Sequence, residues 1–119
     1  MLDVSLTRED ALLVVKARGA ATLVDFKGFS DLIATVCREE QRTHALVDLL
    51  DVTQELTFTD QLQLGLYIAE RLGFLEKMAT VVPAQDRSGN SERAAQKSGL
   101  HLRTFTDMAE ARMWLQEPS

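Results

Sequence analysis

The sequence is poor in cysteine: Cys37 is the one cysteine among 119 residues. No intramolecular disulfide can therefore staple the fold, and a reducing compartment suits the chain. Cys37 lies beside Ile33, Val36 and Arg38 in a helix-like stretch, where a small buried hydrophobe is expected rather than a reactive thiol. Long apolar runs are missing too. No segment approaches the ~20 apolar residues that cross a bilayer. The opening MLDVSLTRED has neither the basic flank nor the apolar run of a signal peptide, so the cytoplasm is the expected location. Basic charge is in deficit, with 13 Lys and Arg against 18 Asp and Glu, for a net charge of −5. The cations are scattered and form no stripe, which excludes the phosphate-neutralising surface that nucleic acid requires. Patterns of the H-E-x-x-H, C-x-x-C, G-x-S-x-G and G-x-x-x-x-G-K-[ST] types are absent. No metal or cofactor is expected, and an enzyme is not the favoured reading.

What is present is the composition of a folded protein, with 45% apolar and 26% charged residues. That is enough for one domain over residues 1–119 to bury its own core. Leu2, Val4 and Leu6 alternate with polar residues as in a half-buried strand, and Ala11 to Lys16 supplies a second strand after a polar break, giving a hairpin. Thr22 and Asp25 form a capping pair for a helix carrying Phe26, Phe29, Ile33, Val36 and Cys37 on one face and ending near Gln41. Gly28 weakens that helix by about 1 kcal/mol relative to alanine, which points to close packing or a bend. Ala45 to Leu50 is apolar without alternation, as in a strand covered on both faces. Asp51 to Thr57 reads as loop. Thr59-Asp60 can cap a second helix that stops at Gly73, taken as a left-handed terminus. A strand over Met78 to Val82, turn chemistry from Ala84 to Asn90, and a short helix to Gly99 follow. A strand with Leu100, Leu102 and Phe105 and a helix capped by Thr106-Asp107 complete the chain. The order ββαβαβαβα calls for an α/β fold: a largely parallel, mixed five-stranded sheet with an antiparallel N-terminal hairpin and about four helices.

Three stretches carry a resemblance. Leu46-Val47-Asp48-Leu49 is a central strand of "LVDL" type, and Met78-Ala79-Thr80-Val81-Val82 matches a following hydrophobic strand. The tail holds Leu102-Arg103-Thr104-Phe105, then Asp107, Glu110-Ala111 and Trp114-Leu115. In this order and spacing they resemble the SpoIIAA-like branch of the STAS superfamily, over nearly the whole chain. The resemblance implies a non-catalytic switch or interaction module. It also implies structural similarity to CRAL-TRIO lipid-transfer domains, which enclose apolar ligands. Anti-sigma antagonists of this type carry a phosphorylatable serine in a "DSSG"-type turn after the central strand. Here that region, Asp51 to Thr59, has neither serine nor glycine, so the usual phospho-switch is not expected. Thr57 and Thr59 are hydroxyls that could take phosphate, with Thr59 read as a plain helix cap.

Candidate functional residues fall in two groups. Asp48 and Asp51 are placed at the C-terminal end of the central strand, the favoured location for a site in an open α/β sheet. They lack a third carboxylate or histidine to make a metal or catalytic centre. His44 and His101 fall at the opposite, N-terminal edge and read as strand-entry residues. Ser88-Gly89-Asn90-Ser91 enters a helix and is a possible anion site, though a turn with a cap is the simpler account. The stronger signal is apolar. Leu62, Leu64, Leu66, Tyr67 and Ile68 spread around more of the second helix than one buried face needs, and Leu56 and Phe58 precede them in a polar loop. Ordinary burial, a homodimer interface, or the wall of a pocket for a small apolar or lipid-like molecule would each account for this. Leu56, Phe58, Leu62, Leu64, Tyr67 and Ile68 are accordingly the candidate ligand or interface residues. The leading reading is a cytoplasmic interaction module that self-associates or binds another protein. A carrier of an apolar ligand is the alternative, and an enzyme using Asp48 and Asp51 comes third.

Overall fold

The computed structural model describes residues 2–118. In chain order it contains β1 (Leu2–Glu9), β2 (Leu12–Ala21), α1 (Leu23–Glu39), β3 (His44–Gln54), α2 (Phe58–Leu72) and β4 (Lys77–Val81). A 3₁₀ turn at Ala84–Asp86, α3 (Asn90–Lys97), β5 (Leu102–Phe105) and α4 (Met108–Gln116) follow. The five strands lie in sequence order, β1 antiparallel to β2 and every other pair parallel. Crossovers that all advance in one direction with the same hand put their helices on one face of the sheet. Odd-numbered β3 side chains, Ala45, Val47 and Leu49, accordingly pack with Phe26, Phe29 and Ile33 of α1 and Leu64, Ile68 and Leu72 of α2. Even-numbered Leu46 packs on the other face with Ala79, Val81, Phe105 and the α4 residues Ala111, Trp114 and Leu115. Burial on both faces is why the β3 run lacks alternation.

Local chemistry sets the boundaries. Thr22 and Asp25 form the capping box of α1, with Thr22 N donating to Asp25 Oδ2 at 2.9 Å. The α2 cap differs from the expectation: it is Thr57, not Thr59. Thr57 Oγ1 accepts from Asp60 N, and Thr57 N donates to Asp60 Oδ2, each at 3.1 Å. Thr59 is an exposed first-turn residue. The helix does end at Gly73, but with φ −61°, a right-handed geometry rather than a left-handed one. Gly28 has open space where a Cβ would project, so no close packing explains it. Gly65 is the glycine that close packing needs: a Cβ there would meet Ser91 O at 2.5 Å and Ala94 Cβ at 2.7 Å. Its absence lets α2 lie directly on α3.

The two central strands are longer than the sequence indicates. After a register shift between Lys16 and Arg18, Arg18 to Ala21 pair with Asp51 to Gln54. Asp51 to Gln54, read from sequence as loop, is thus paired strand, and Ala21 and Val52 are buried. At the far edge, side chains close off β5. Gln96 Nε2 donates to Leu102 O at 2.7 Å, Arg87 Nε donates to Thr104 O at 3.2 Å, and Glu92 Oε2 accepts from Thr104 N at 2.5 Å. This occupies groups that would otherwise template another strand.

Candidate functional site

The parallel strands end, with α2 above them, at a cavity of about 80 Å³. Val47, Leu49, Met78 and Leu102 of the sheet form its floor, and Phe26, Phe29, Leu64 and Ile68 form its walls. Its mouth is polar. Gln61 Oε1 accepts from Ser88 Oγ at 3.0 Å and from Asn90 Nδ2 at 2.7 Å, and Gln61 O accepts from Ser91 Oγ at 2.8 Å. The segment read from sequence as turn chemistry is therefore tied to α2 by three hydrogen bonds. Gly89, with φ 79°, takes the left-handed turn that allows this.

The opposite side of α2 bears a second concavity. Phe58, Leu62 and Leu66 follow one another at four-residue steps and are 61%, 37% and 55% exposed. With Arg93, Ala94 and Lys97 of α3 they line a groove of about 440 Å³. The six sequence candidates thus divide by position. Leu64 and Ile68 are buried beside the cavity, and Phe58 and Leu62 line the outer groove. Leu56 is half-buried against the main core. Tyr67 lines neither concavity; its hydroxyl donates to Asp31 of α1 at 2.8 Å. That hydrogen bond, with burial second, raises the Tyr67 pKa above its ordinary value. Leu66 completes the exposed ridge and is missing from those six; its four-residue spacing from Leu62 was the available signal.

Asp48 and Asp51 do not lie at the strand terminus, because β3 continues to Gln54. Asp48 is buried and its Oδ1 accepts from Leu50 N at 3.0 Å. Asp51 is exposed, with Lys16 Nζ 3.7 Å away. Each has a structural partner. Among the described residues no group of three His, Cys, Asp or Glu side chains is placed to hold a metal ion. Burial pushes the Cys37 thiol up to about 11, so it is protonated at neutral pH. His44 opens β3, and His101 precedes β5 and meets the Trp114 ring edge-on at 5.1 Å.

Lys77, at the same N-terminal edge, is a structural residue without a sequence signal, being a lysine at the start of an apolar strand. It is 2% exposed, and its Nζ donates to Trp114 O at 2.7 Å and Glu117 O at 2.6 Å. These bonds satisfy carbonyls at the end of α4. Nearby, Glu40 accepts from Arg8 and Arg42, and these guanidinium hydrogen bonds hold its pKa down at about 2. Arg42 also donates to Asp10 O in the hairpin turn.

No family model matches the chain, and no curated protein matches it. Solved structures do. A Shewanella loihica protein of the DUF3478 family, described as having a SpoIIAA-like fold, aligns with 96% of this chain and 93% of its own at 20% identity, TM-score 0.60. An anti-sigma factor antagonist from Mycobacterium paratuberculosis aligns over 98% and 96% at 15% identity, TM-score 0.68. The Bacillus cell-fate determinant SpoIIAA, in its phosphorylated form, aligns over 94% and 99% at 14% identity, TM-score 0.53. The strand order, the helix placement and these three likenesses give the chain a SpoIIAA-like fold.

Proposed function

We propose that this chain is a non-catalytic protein-interaction module, that the outer face of α2 is its docking element, and that a second copy of the chain docks there. The observation that carries the reading is the exposed ridge Phe58, Leu62, Leu66. An apolar row of this kind on a helix is the usual material of an interface core. The ridge is also symmetric in spacing about Leu62. Two such helices crossing antiparallel about a two-fold axis set Leu62 on Leu62 and Phe58 on Leu66 of the second copy, twice. The fold likeness to two proteins named as anti-sigma factor antagonists, or as the cell-fate determinant of that fold, supports a role exercised through protein partners.

The size of the cavity favours this reading over a lipid carrier. About 80 Å³ is roughly half of the ~150 Å³ that holds one benzene molecule, so an acyl chain exceeds it. The backbone and lysine partners of Asp48 and Asp51 favour it over catalysis. Sedimentation velocity over a concentration series tests the proposal. Wild type is expected to dimerise, and Phe58→Asp and Leu66→Glu to remain monomeric with wild-type Tm. A wild-type protein that stays monomeric at the highest concentration overturns it.

A further inference from the structure

The cavity and the outer groove share their walls. Leu64 and Ile68 of α2 face the cavity while Leu62 and Leu66 of the same helix face the groove. The α3 entrance is shared in the same way, with Ser88, Ser91 and Glu92 at the cavity and Asn90, Arg93 and Ala94 at the groove. Gly65 lets the two helices approach closely, with Ser91 O and Ala94 Cβ standing where a side chain would be, so the cavity wall and the groove wall are in direct contact.

We infer that the cavity is an effector site, whose occupant fixes α2 and thereby strengthens docking on its outer face. This rests on the docking role of α2 proposed above and adds its regulation. The cavity also indicates the ligand class. An apolar floor of about 80 Å³, about half of the ~150 Å³ that holds the six carbons of benzene, accepts about three carbons, with the head left at the mouth. The head must be neutral and must accept a hydrogen bond. Asp86 and Glu92 outweigh Arg87 in the lining, which disfavours an anionic head. Gln61 Oε1 is filled by Ser88 and Asn90, and among the described residues its Nε2 N–H pair has no acceptor. A short alcohol or amide oxygen meets that requirement. Filling the void orders the inner face of α2 before docking, so that docking loses less freedom. Coupling is reciprocal: docking must tighten ligand binding by the same factor.

The test uses propan-1-ol as the probe, with methyl NMR on the full chain. Saturable shifts are expected at Leu64 and Ile68 and, through the helix, at Leu62 and Leu66. Leu46 and Leu115, on the opposite face of the sheet, should stay in place. In sedimentation, saturating probe should lower the dimer dissociation constant at least threefold. Linear shifts of similar size on both sheet faces would overturn the inference, since they report solvent rather than a site. So would shifts confined to Leu64 and Ile68, which show binding without coupling. A chain that never dimerises refutes the docking reading instead, and the relay from Leu64 to Leu66 is still decided by the methyl signals.

Discussion

Leu64 and Leu66 stand two residues apart on α2, about 200° around the helix, and meet opposite surroundings. Leu64 is 5% exposed beside the cavity, whereas Leu66 is 55% exposed beside α3. The helix therefore has two apolar faces, one buried in the core and one exposed.

The two leucines should separate stability from association. Leu64→Ala removes buried methyl groups next to an existing void and is expected to cost about 3 kcal/mol in denaturant unfolding. Leu66→Ala removes exposed surface and should stay within about 0.5 kcal/mol in the monomer. Equal losses would mean that α2 has one apolar face rather than two. A charged residue at Leu64 is a poor probe of the interface, because it buries an unpaired carboxylate and unfolds the domain.

Lys77 predicts a local effect at α4. Lys77→Met keeps most of the buried stem but removes the ammonium donor of Glu117 O and leaves Trp114 O with the Glu117 N–H alone, at a cost of about 2 kcal/mol. Trp114 is the one tryptophan, so its fluorescence reports this site alone. A red shift at native temperature is expected for the variant. Unchanged emission with unchanged stability would show that the end of α4 does not need the ammonium group.

Glu40 sets an acid-sensitive term. Its folded pKa of about 2 is depressed by hydrogen bonds from Arg8 and Arg42, so the contribution to stability is complete above its unfolded value and disappears as pH falls through about 2. Glu40→Gln should lower Tm by a constant amount above about pH 5, with the gap to wild type closing toward pH 2. Because the cluster is exposed, added salt should shrink the gap. A gap that persists at pH 2 would mean the loss is steric.

The element order and the type of sheet were legible in the sequence, because apolar periodicity and crossover handedness constrain them strongly. Boundaries were less so where segments without an apolar pattern pair with each other, as Arg18 to Ala21 do with Asp51 to Gln54. Neither segment looks like a strand alone; each is one because of its neighbour. The α2 cap was ambiguous for a similar reason. Thr57 and Thr59 are both capping residues, and the three-residue reach to Asp60 selects Thr57. The surplus apolar residues of α2 were visible as a group, but their division was not. Which of Leu62, Leu64 and Leu66 faces inward depends on how α2 sits over the sheet, and the close approach of Gly65 to α3 helps to set that. Lys77 gave no signal because its partners are carbonyls supplied by a helix far along the chain.

Engineered cysteines at the ridge test the central claim most directly, since Cys37 is fully buried and stays out of the reaction. Under mild oxidation Leu62→Cys, on the proposed two-fold axis, should form a covalent dimer. Leu66→Cys alone should not, but should cross-link when mixed with Phe58→Cys. Absence of any covalent dimer for Leu62→Cys, or equally fast self-linking of Leu66→Cys, would contradict the account.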